Sequence, residues 1–142
     1  MYDLCCSGQI SPQIVIAAST EKQANRVFNP ISRFVRNDRD LVERYQVKVT
    51  LEKITTPDSE EDGIFKLSSA GEKHDGLNPS LAIFEEAHAG SASVFKVVSS
   101  AFGSRPNQMK RMITTAGYRP EGPAWEMRQD ASRLLTGKPE VS

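Results

Sequence analysis

The sequence lacks the features that mark disulfide-bonded, zinc-binding, membrane and secreted proteins. Its only cysteines, Cys5 and Cys6, are adjacent, and adjacent cysteines rarely form a disulfide with each other or supply a zinc site. No apolar run approaches the ~20 residues that a membrane helix needs, and the N-terminus, with Asp3, lacks the basic stretch of a signal peptide. Eighteen basic and eighteen acidic residues cancel, so net charge does not indicate nucleic-acid binding. These absences predict a reduced, cytoplasmic protein without a membrane partner.

A phosphate-binding loop is also absent from these residues. No Gly-x-x-x-x-Gly-Lys-Ser/Thr sequence occurs, and Gly137-Lys138 is followed by Pro139. Such a loop supplies converging backbone N–H groups, a lysine and a hydroxyl that binds Mg²⁺. We therefore expect no tight binding of ATP by this chain alone.

The most informative segment that is present is an apolar run ending in two carboxylates. Residues 81–84 precede Glu85 and Glu86, a pattern typical of a strand buried in a parallel sheet. Charges are tolerated where such a strand emerges, and ligands of open α/β sheets bind at that edge. The alternative is a buried strand that runs into an acidic loop. A glycosidase pair is disfavoured because neighbours on a strand point to opposite sides.

A second short apolar run ends in hydroxyls. Residues 110–113 precede Thr114 and Thr115, followed by Ala116 and Gly117. By itself this pattern indicates only a strand that leads into a glycine turn. The residues between the two runs are numerous enough for a helix and a loop, so the two predicted strands can lie side by side.

Together the two runs resemble the Walker B and coupling segments of the large terminase subunit of tailed bacteriophages. The resemblance extends to residues 13–24, 75–80 and 120–123, and it covers about residues 11–135. It implies an α/β fold, a partial P-loop NTPase of the ASCE type. The expected architecture is a parallel sheet flanked by helices, with an inserted β-hairpin.

The resemblance also implies residue roles around ATP and Mg²⁺ in the complete protein. Glu85 would bind the cofactor by holding Mg²⁺ through water, although the family usually has aspartate there. Glu86 would be the catalytic residue that polarises the attacking water. Thr114 and Thr115 would contact the nucleotide and couple its state to movement.

The same resemblance predicts a fragment and its partners. Residues 1–10 would be the tail of the P-loop helix, residues 11–135 core elements and residues 136–142 a frayed tail. The P-loop and a C-terminal nuclease domain would lie outside the chain. Expected partners are the remainder of the large subunit, the small terminase subunit, the portal, double-stranded DNA and further copies forming a ring. Two alternatives stay open: a non-catalytic prophage remnant or interaction module, and a piece of a helicase-like ATPase.

The remaining patterns predict the order of elements. Residues 14–18 are predicted to form a strand. A helix should begin at the capping box of Thr20 and Gln23, and Pro30 should kink or split it near Asn29. Two strands at residues 47–51 and 64–67 make the hairpin around an acidic turn. Helices are expected over residues 92–102 and after Gly122-Pro123.

Overall fold

A six-stranded sheet organises the chain in this computed structural model, which describes residues 11–57, 59–68, 76–86, 92–115 and 121–137. The predicted α/β class is confirmed. The strands are β1 (Gln13–Ala18), β2 (Lys48–Val49), β3 (Lys53–Thr56), β4 (Ser59–Ser68), β5 (Leu81–Glu85) and β6 (Met109–Ile113). The helices are α1 (Glu21–Asn37), α2 (Ala92–Ser100) and α3 (Pro123–Thr136), with a π-helical segment at Asp40–Arg44.

The sheet has the order β2-β3-β4-β1-β5-β6 and is mixed. β4, β1, β5 and β6 are parallel to one another, while β2 pairs antiparallel with β3 and β3 pairs antiparallel with β4. β5 lies between β1 and β6, with Ile14 opposite Leu81 and Glu85 opposite Ile113. Because these strands are parallel, their carboxyl ends meet at one edge of the sheet.

Both faces of the central strands are covered. Ile14, Ile16 and Ala18 belong to a buried cluster shared with α1, while Val15 and Ala17 belong to a second cluster shared with α2. Every second residue of β1 points to the same face, so α1 and α2 cover opposite sides of the sheet. This double burial explains why β1 reads as a continuous apolar run.

α1 begins where the capping box predicts. The Thr20 hydroxyl accepts a hydrogen bond from the backbone N–H of Gln23, and the Gln23 side chain accepts one from the N–H of Thr20. The predicted split near Asn29 is wrong, because α1 continues through Pro30 to Asn37. Proline costs the helix one backbone hydrogen bond there, and its ring lies on the exposed side. Breaking the helix would instead uncover Phe28 and the residues that follow it in the core.

The hairpin differs from the predicted one. β2 is only two residues long, and Leu51 is 80% exposed in a turn. The Thr50 hydroxyl accepts hydrogen bonds from the N–H groups of Glu52 and Lys53, which closes that turn and starts the unpredicted β3. β4 then pairs with β3 on one side and with β1 on the other. The hairpin therefore supplies a strand to the parallel part of the sheet.

Glu60, Glu61 and Asp62 belong to β4 and not to the acidic turn that the sequence predicts. β4 begins at Ser59, and Lys53 on β3 contacts Glu60 across the pair at 2.8 Å. The hydrogen bond and the charge of this ammonium hold the pKa of Glu60 below its usual value. Lys53 is in register with Phe65, so this ion pair joins the two strands diagonally.

β6 lies at the end of the described sheet, and part of its apolar surface is uncovered. Met109 and Ile113, which lie on the same face, are 47% and 51% exposed. α3 begins at Pro123 as predicted, but its residues Leu134 and Leu135 are exposed as well. An open strand edge with apolar side chains is a template for association with another chain.

Gly63 should be essential for stability. An added Cβ would overlap the backbone carbonyl of Ile54 on β3, and backbone cannot move aside easily. We expect Gly63→Ala to lower the free energy of unfolding by roughly 3 kcal/mol, the upper part of the usual range for overpacking. Urea unfolding followed by circular dichroism measures this. Glu61→Ala, at an exposed position of the same strand, is the control, and equal stability of the two variants would contradict the packing described.

The uncovered face of β6 should make the purified chain self-associate. We expect multi-angle light scattering to show oligomers at micromolar concentration, since open edge strands with apolar side chains pair readily. Ile113→Lys adds a charge to that face and should shift the chain towards monomer. A monodisperse wild-type monomer, or an unchanged distribution in the variant, would show that β6 does not drive association.

Candidate functional site

β5 carries two carboxylates to the edge of the sheet, as the sequence predicts. Ala82 and Phe84 are buried, Glu85 is the last residue of the strand, and Glu86 forms the turn that follows. Both glutamates are half-buried. The apolar part of the strand fixes their position, because moving it would uncover Phe84 and the α2 side of the core.

The backbone of Glu86 adopts an uncommon conformation. Its φ angle is 52°, in the left-handed region that residues other than glycine seldom occupy. Such conformations cost free energy and are concentrated at functional sites, where surrounding contacts maintain them.

Arg26 on α1 contacts the Glu86 side chain. Its Nη1 lies 3.5 Å from Glu86 Oε1. Sequence reasoning missed Arg26 because the two residues are 60 positions apart and no local pattern links them. The contact depends on α1 packing across the sheet, which only the tertiary structure shows.

The predicted hydroxyls lie at the same edge as the carboxylates. Glu85 is opposite Ile113, the last residue of β6, so Thr114 leaves its strand beside the point where Glu86 leaves β5. Both Thr114 and Thr115 are exposed, and the Thr114 hydroxyl donates a hydrogen bond to the Thr115 carbonyl at 3.0 Å. The structure thus brings all four predicted residues to the carboxyl ends of two adjacent parallel strands.

The donor atoms at this edge suit Mg²⁺ that is bound largely by phosphate and water. They are carboxylate and hydroxyl oxygens, and Mg²⁺ in nucleotide sites is commonly held by one or two carboxylates together with phosphates. Across the described ranges, no group of three or more His, Cys, Asp or Glu residues could form a protein-only metal cage. The oxygen donors at this edge are of the chemical type that a nucleotide-borne Mg²⁺ uses.

Arg105, Arg111 and Arg119 are candidates for an arginine that acts on the site of a neighbouring subunit, and the first two lie in the described part of the chain, away from this edge. Arg105 donates a hydrogen bond to the carbonyl of Ser11, which precedes β1 and so lies at the opposite edge of the sheet. Arg111 lies within β6, with its Nε 3.2 Å from the sulfur of Met109. Arg119 and His88 fall outside the described residues.

The sheet order and the residues at its carboxyl edge agree with the family that the sequence matches. The family model described as "Terminase large subunit, ATPase domain" matches residues 1–133. The chain belongs to this family. The expected resemblance is thereby confirmed, and with it a fold like that of the P-loop NTPases.

Solved structures with the same fold come from bacteriophage terminases. The large terminase of bacteriophage HK97 superposes with a TM-score of 0.74 at 21% identity, covering 96% of this chain and 29% of that protein. The large terminase of a thermophilic bacteriophage gives a TM-score of 0.57 at 16% identity, over 91% of this chain and 32% of that protein. A further structure of the thermophilic phage protein, in complex with ADP, gives 0.56 at 15% identity, over 91% of this chain and 31% of that protein.

A curated relative matches over a shorter stretch. Protein YmfN of Escherichia coli (strain K12) is 31% identical over 64 residues, which is 44% of this chain and 14% of the relative. The terminase ATPase domain described here thus spans about a third or less of the length of the proteins it matches. In the part of the chain that the structure describes, no helix is long and apolar enough to cross a bilayer.

The isolated 142-residue chain should not bind Mg-ATP tightly. Its sequence contains no P-loop, and the backbone N–H groups and lysine of that loop provide most of the contacts to the phosphates. Isothermal titration calorimetry with Mg-ATP should show no binding in the micromolar range, and a phosphate-release assay no turnover. Micromolar affinity would mean that the edge at β5 and β6 binds nucleotide by a different arrangement.

Proposed function

We propose that this terminase ATPase domain is part of a motor that hydrolyses ATP to drive viral DNA into a procapsid. Membership of the family and the terminase fold support this assignment. Neither the family match nor the solved structures favour a helicase-like ATPase or a non-catalytic remnant. The single observation that carries the proposal at the level of residues is the common edge that holds Glu85, Glu86, Thr114 and Thr115.

Glu86 would orient and activate the water that attacks the γ-phosphate. It follows the last residue of β5, has a left-handed backbone conformation, and is 24% exposed, so water can reach it. A carboxylate that accepts a hydrogen bond from water can receive the proton as the bond to phosphorus forms. Phosphoryl transfer depends mainly on such positioning and on charge stabilisation.

Glu85 and the two threonines would contact the Mg²⁺ and the phosphates of the nucleotide. Mg²⁺ neutralises the charge that develops on the phosphate oxygens during transfer. Glu85, at the end of β5, would hold this ion through a bound water. Thr114 and Thr115 would contact the γ-phosphate with their hydroxyl groups, so that its loss changes the position of the segment after β6.

The remaining parts of the site would come from outside this chain. We propose that another segment of the same large subunit supplies the P-loop. We also propose that the complete site binds an adenine nucleotide, because the thermophilic phage terminase was solved in complex with ADP. The partners would be the small terminase subunit, the portal, double-stranded DNA and other copies in a ring. The motor would work in the cytoplasm of the bacterial host.

Glu86→Gln tests the proposed chemistry in a full-length form of the protein that carries a P-loop. The amide keeps the size of the side chain but cannot accept the proton. We expect turnover of ATP to fall by roughly two to four orders of magnitude, the usual contribution of a positioned general base, while the Kd for ATP changes little. Phosphate release measures turnover, and fluorescent nucleotide titration measures binding.

The matched control is Glu61→Gln, which removes the same charge from an exposed position on β4. It should leave turnover unchanged. Near-normal turnover in Glu86→Gln would remove Glu86 from the mechanism, and an equal loss in both variants would indicate a general effect of charge.

A further inference from the structure

The loop between α2 and β6, residues 103–108, is attached to the start of β5 by side chains. Gln108 makes the central contact. Its Nε2 donates a hydrogen bond to the carbonyl of Pro79 at 2.7 Å, and its Oε1 accepts one from the backbone N–H of Gly103. Pro79 is buried and lies two residues before β5, whereas Gln108 directly precedes β6. One side chain therefore closes the loop and joins the starts of two neighbouring strands.

Further contacts anchor the same loop. The Ser104 hydroxyl donates a hydrogen bond to Oδ1 of Asn78 at 2.7 Å, and Arg105 donates one to the carbonyl of Ser11, which precedes β1. Asn107 has a φ angle of 59°, in the left-handed region. Residues other than glycine keep such a conformation only where surrounding contacts maintain it. These contacts fix the loop against the starts of β5 and β1.

The burial of β6, in contrast, does little to specify its register on β5. Four of its five residues are exposed, and Met112 is half-buried. Strand register is strongly specified where one face is buried and weakly specified where it is not. β5 differs from β6 because the core fixes Ala82 and Phe84. A polar contact at the start of β6 is therefore the feature that can fix its position along β5.

The register of β6 decides where its hydroxyl groups lie at the carboxyl edge. Glu85 pairs with Ile113, so Thr114 leaves the sheet beside the end of β5. A slip of two residues keeps every side chain on its face but moves the end of β6 by about 7 Å. Hydrogen bonds need donor–acceptor distances of roughly 2.5–3.2 Å, so hydroxyls displaced that far would lose their proposed contacts.

We propose that Gln108 is a positioning residue, because its hydrogen bond to Pro79 sets the register of β6 on β5. Through this register it places Thr114 and Thr115 at the carboxyl edge. The register itself is a property of this chain alone. The consequence for hydrolysis rests on the proposed function, because it requires the threonines to contact the γ-phosphate.

Disulfide trapping measures the register in the 142-residue chain, with the two native cysteines changed to serine. The pair Ile83→Cys and Arg111→Cys is in register. Pairs of Ile83→Cys with Met109→Cys or Ile113→Cys have Cα atoms about 8 Å apart, beyond the limit of about 7 Å for a disulfide, and meet only after a slip of two residues. With Gln108 unaltered, the in-register disulfide should predominate, and equally abundant slipped disulfides would overturn the proposal.

Two variants remove the contact to Pro79. Gln108→Met keeps the length of the side chain but loses both hydrogen bonds, and Gln108→Glu keeps the acceptor for Gly103 while losing the donor to Pro79. In both we expect the ratio of slipped to in-register disulfide to rise roughly three- to tenfold, the range for the net loss of one or two hydrogen bonds. Gln129→Met, at an exposed position on α3, is the matched control and should leave the ratio unchanged.

Circular dichroism checks the fold of each variant. If Gln108→Met does not fold, Gln108→Glu carries the test. A ratio that stays unchanged in a folded Gln108 variant would overturn the proposal.

Turnover in the full-length protein tests the consequence for hydrolysis. The Gln108 variants should lower kcat roughly two- to tenfold, in the range of the lost hydrogen bonds, while the Kd for ATP changes little because the P-loop makes most of the phosphate contacts. A loss of turnover with an unchanged register would overturn the role of Gln108. A slip without loss of turnover would confirm that Gln108 sets the register and would contradict the task proposed for the threonines.

Discussion

The parallel pairing of β5 with β1 and β6 is the constraint on which the rest of the site depends. It places the end of each strand at the same edge, so residues that are far apart in sequence leave the sheet side by side. A shift of one residue would turn every side chain of β5 to the opposite face. Ala82 and Phe84 are buried on one face of the sheet. The core therefore permits only the register that places Glu85 at the edge.

Burial on two faces explains why the central strands hold this edge in place. α1 and α2 cover opposite faces of β1, so the central strands cannot move without opening the core. α1 also presents Arg26 to the edge, which links the packing of a helix to the orientation of Glu86. β6, in contrast, has an uncovered face, and in the proposed motor a segment outside these residues would complete that side.

Much of this could be predicted from the sequence, and the exceptions have physical reasons. The strand before Glu85 is predictable because its apolar run is bounded by charge, and the start of α1 because its capping box is local. Pro30 was misjudged because the buried face of the helix outweighs one missing hydrogen bond. β3 was missed because Ile54 is its only aliphatic residue, so no apolar alternation marks it. Roles for the four site residues came from the family resemblance, whereas the contact with Arg26 depends on tertiary packing.

The most direct measurement of the central claim is the location of the nucleotide-bound metal. Mn²⁺ can replace Mg²⁺ with ADP in the full-length protein, and its unpaired electrons broaden the NMR signals of nearby residues. We expect strong broadening at Glu85, Glu86, Thr114 and Thr115, and little at Glu60 on the outer part of β4. Broadening centred on the acidic start of β4, or none at the ends of β5 and β6, would show that the nucleotide binds elsewhere.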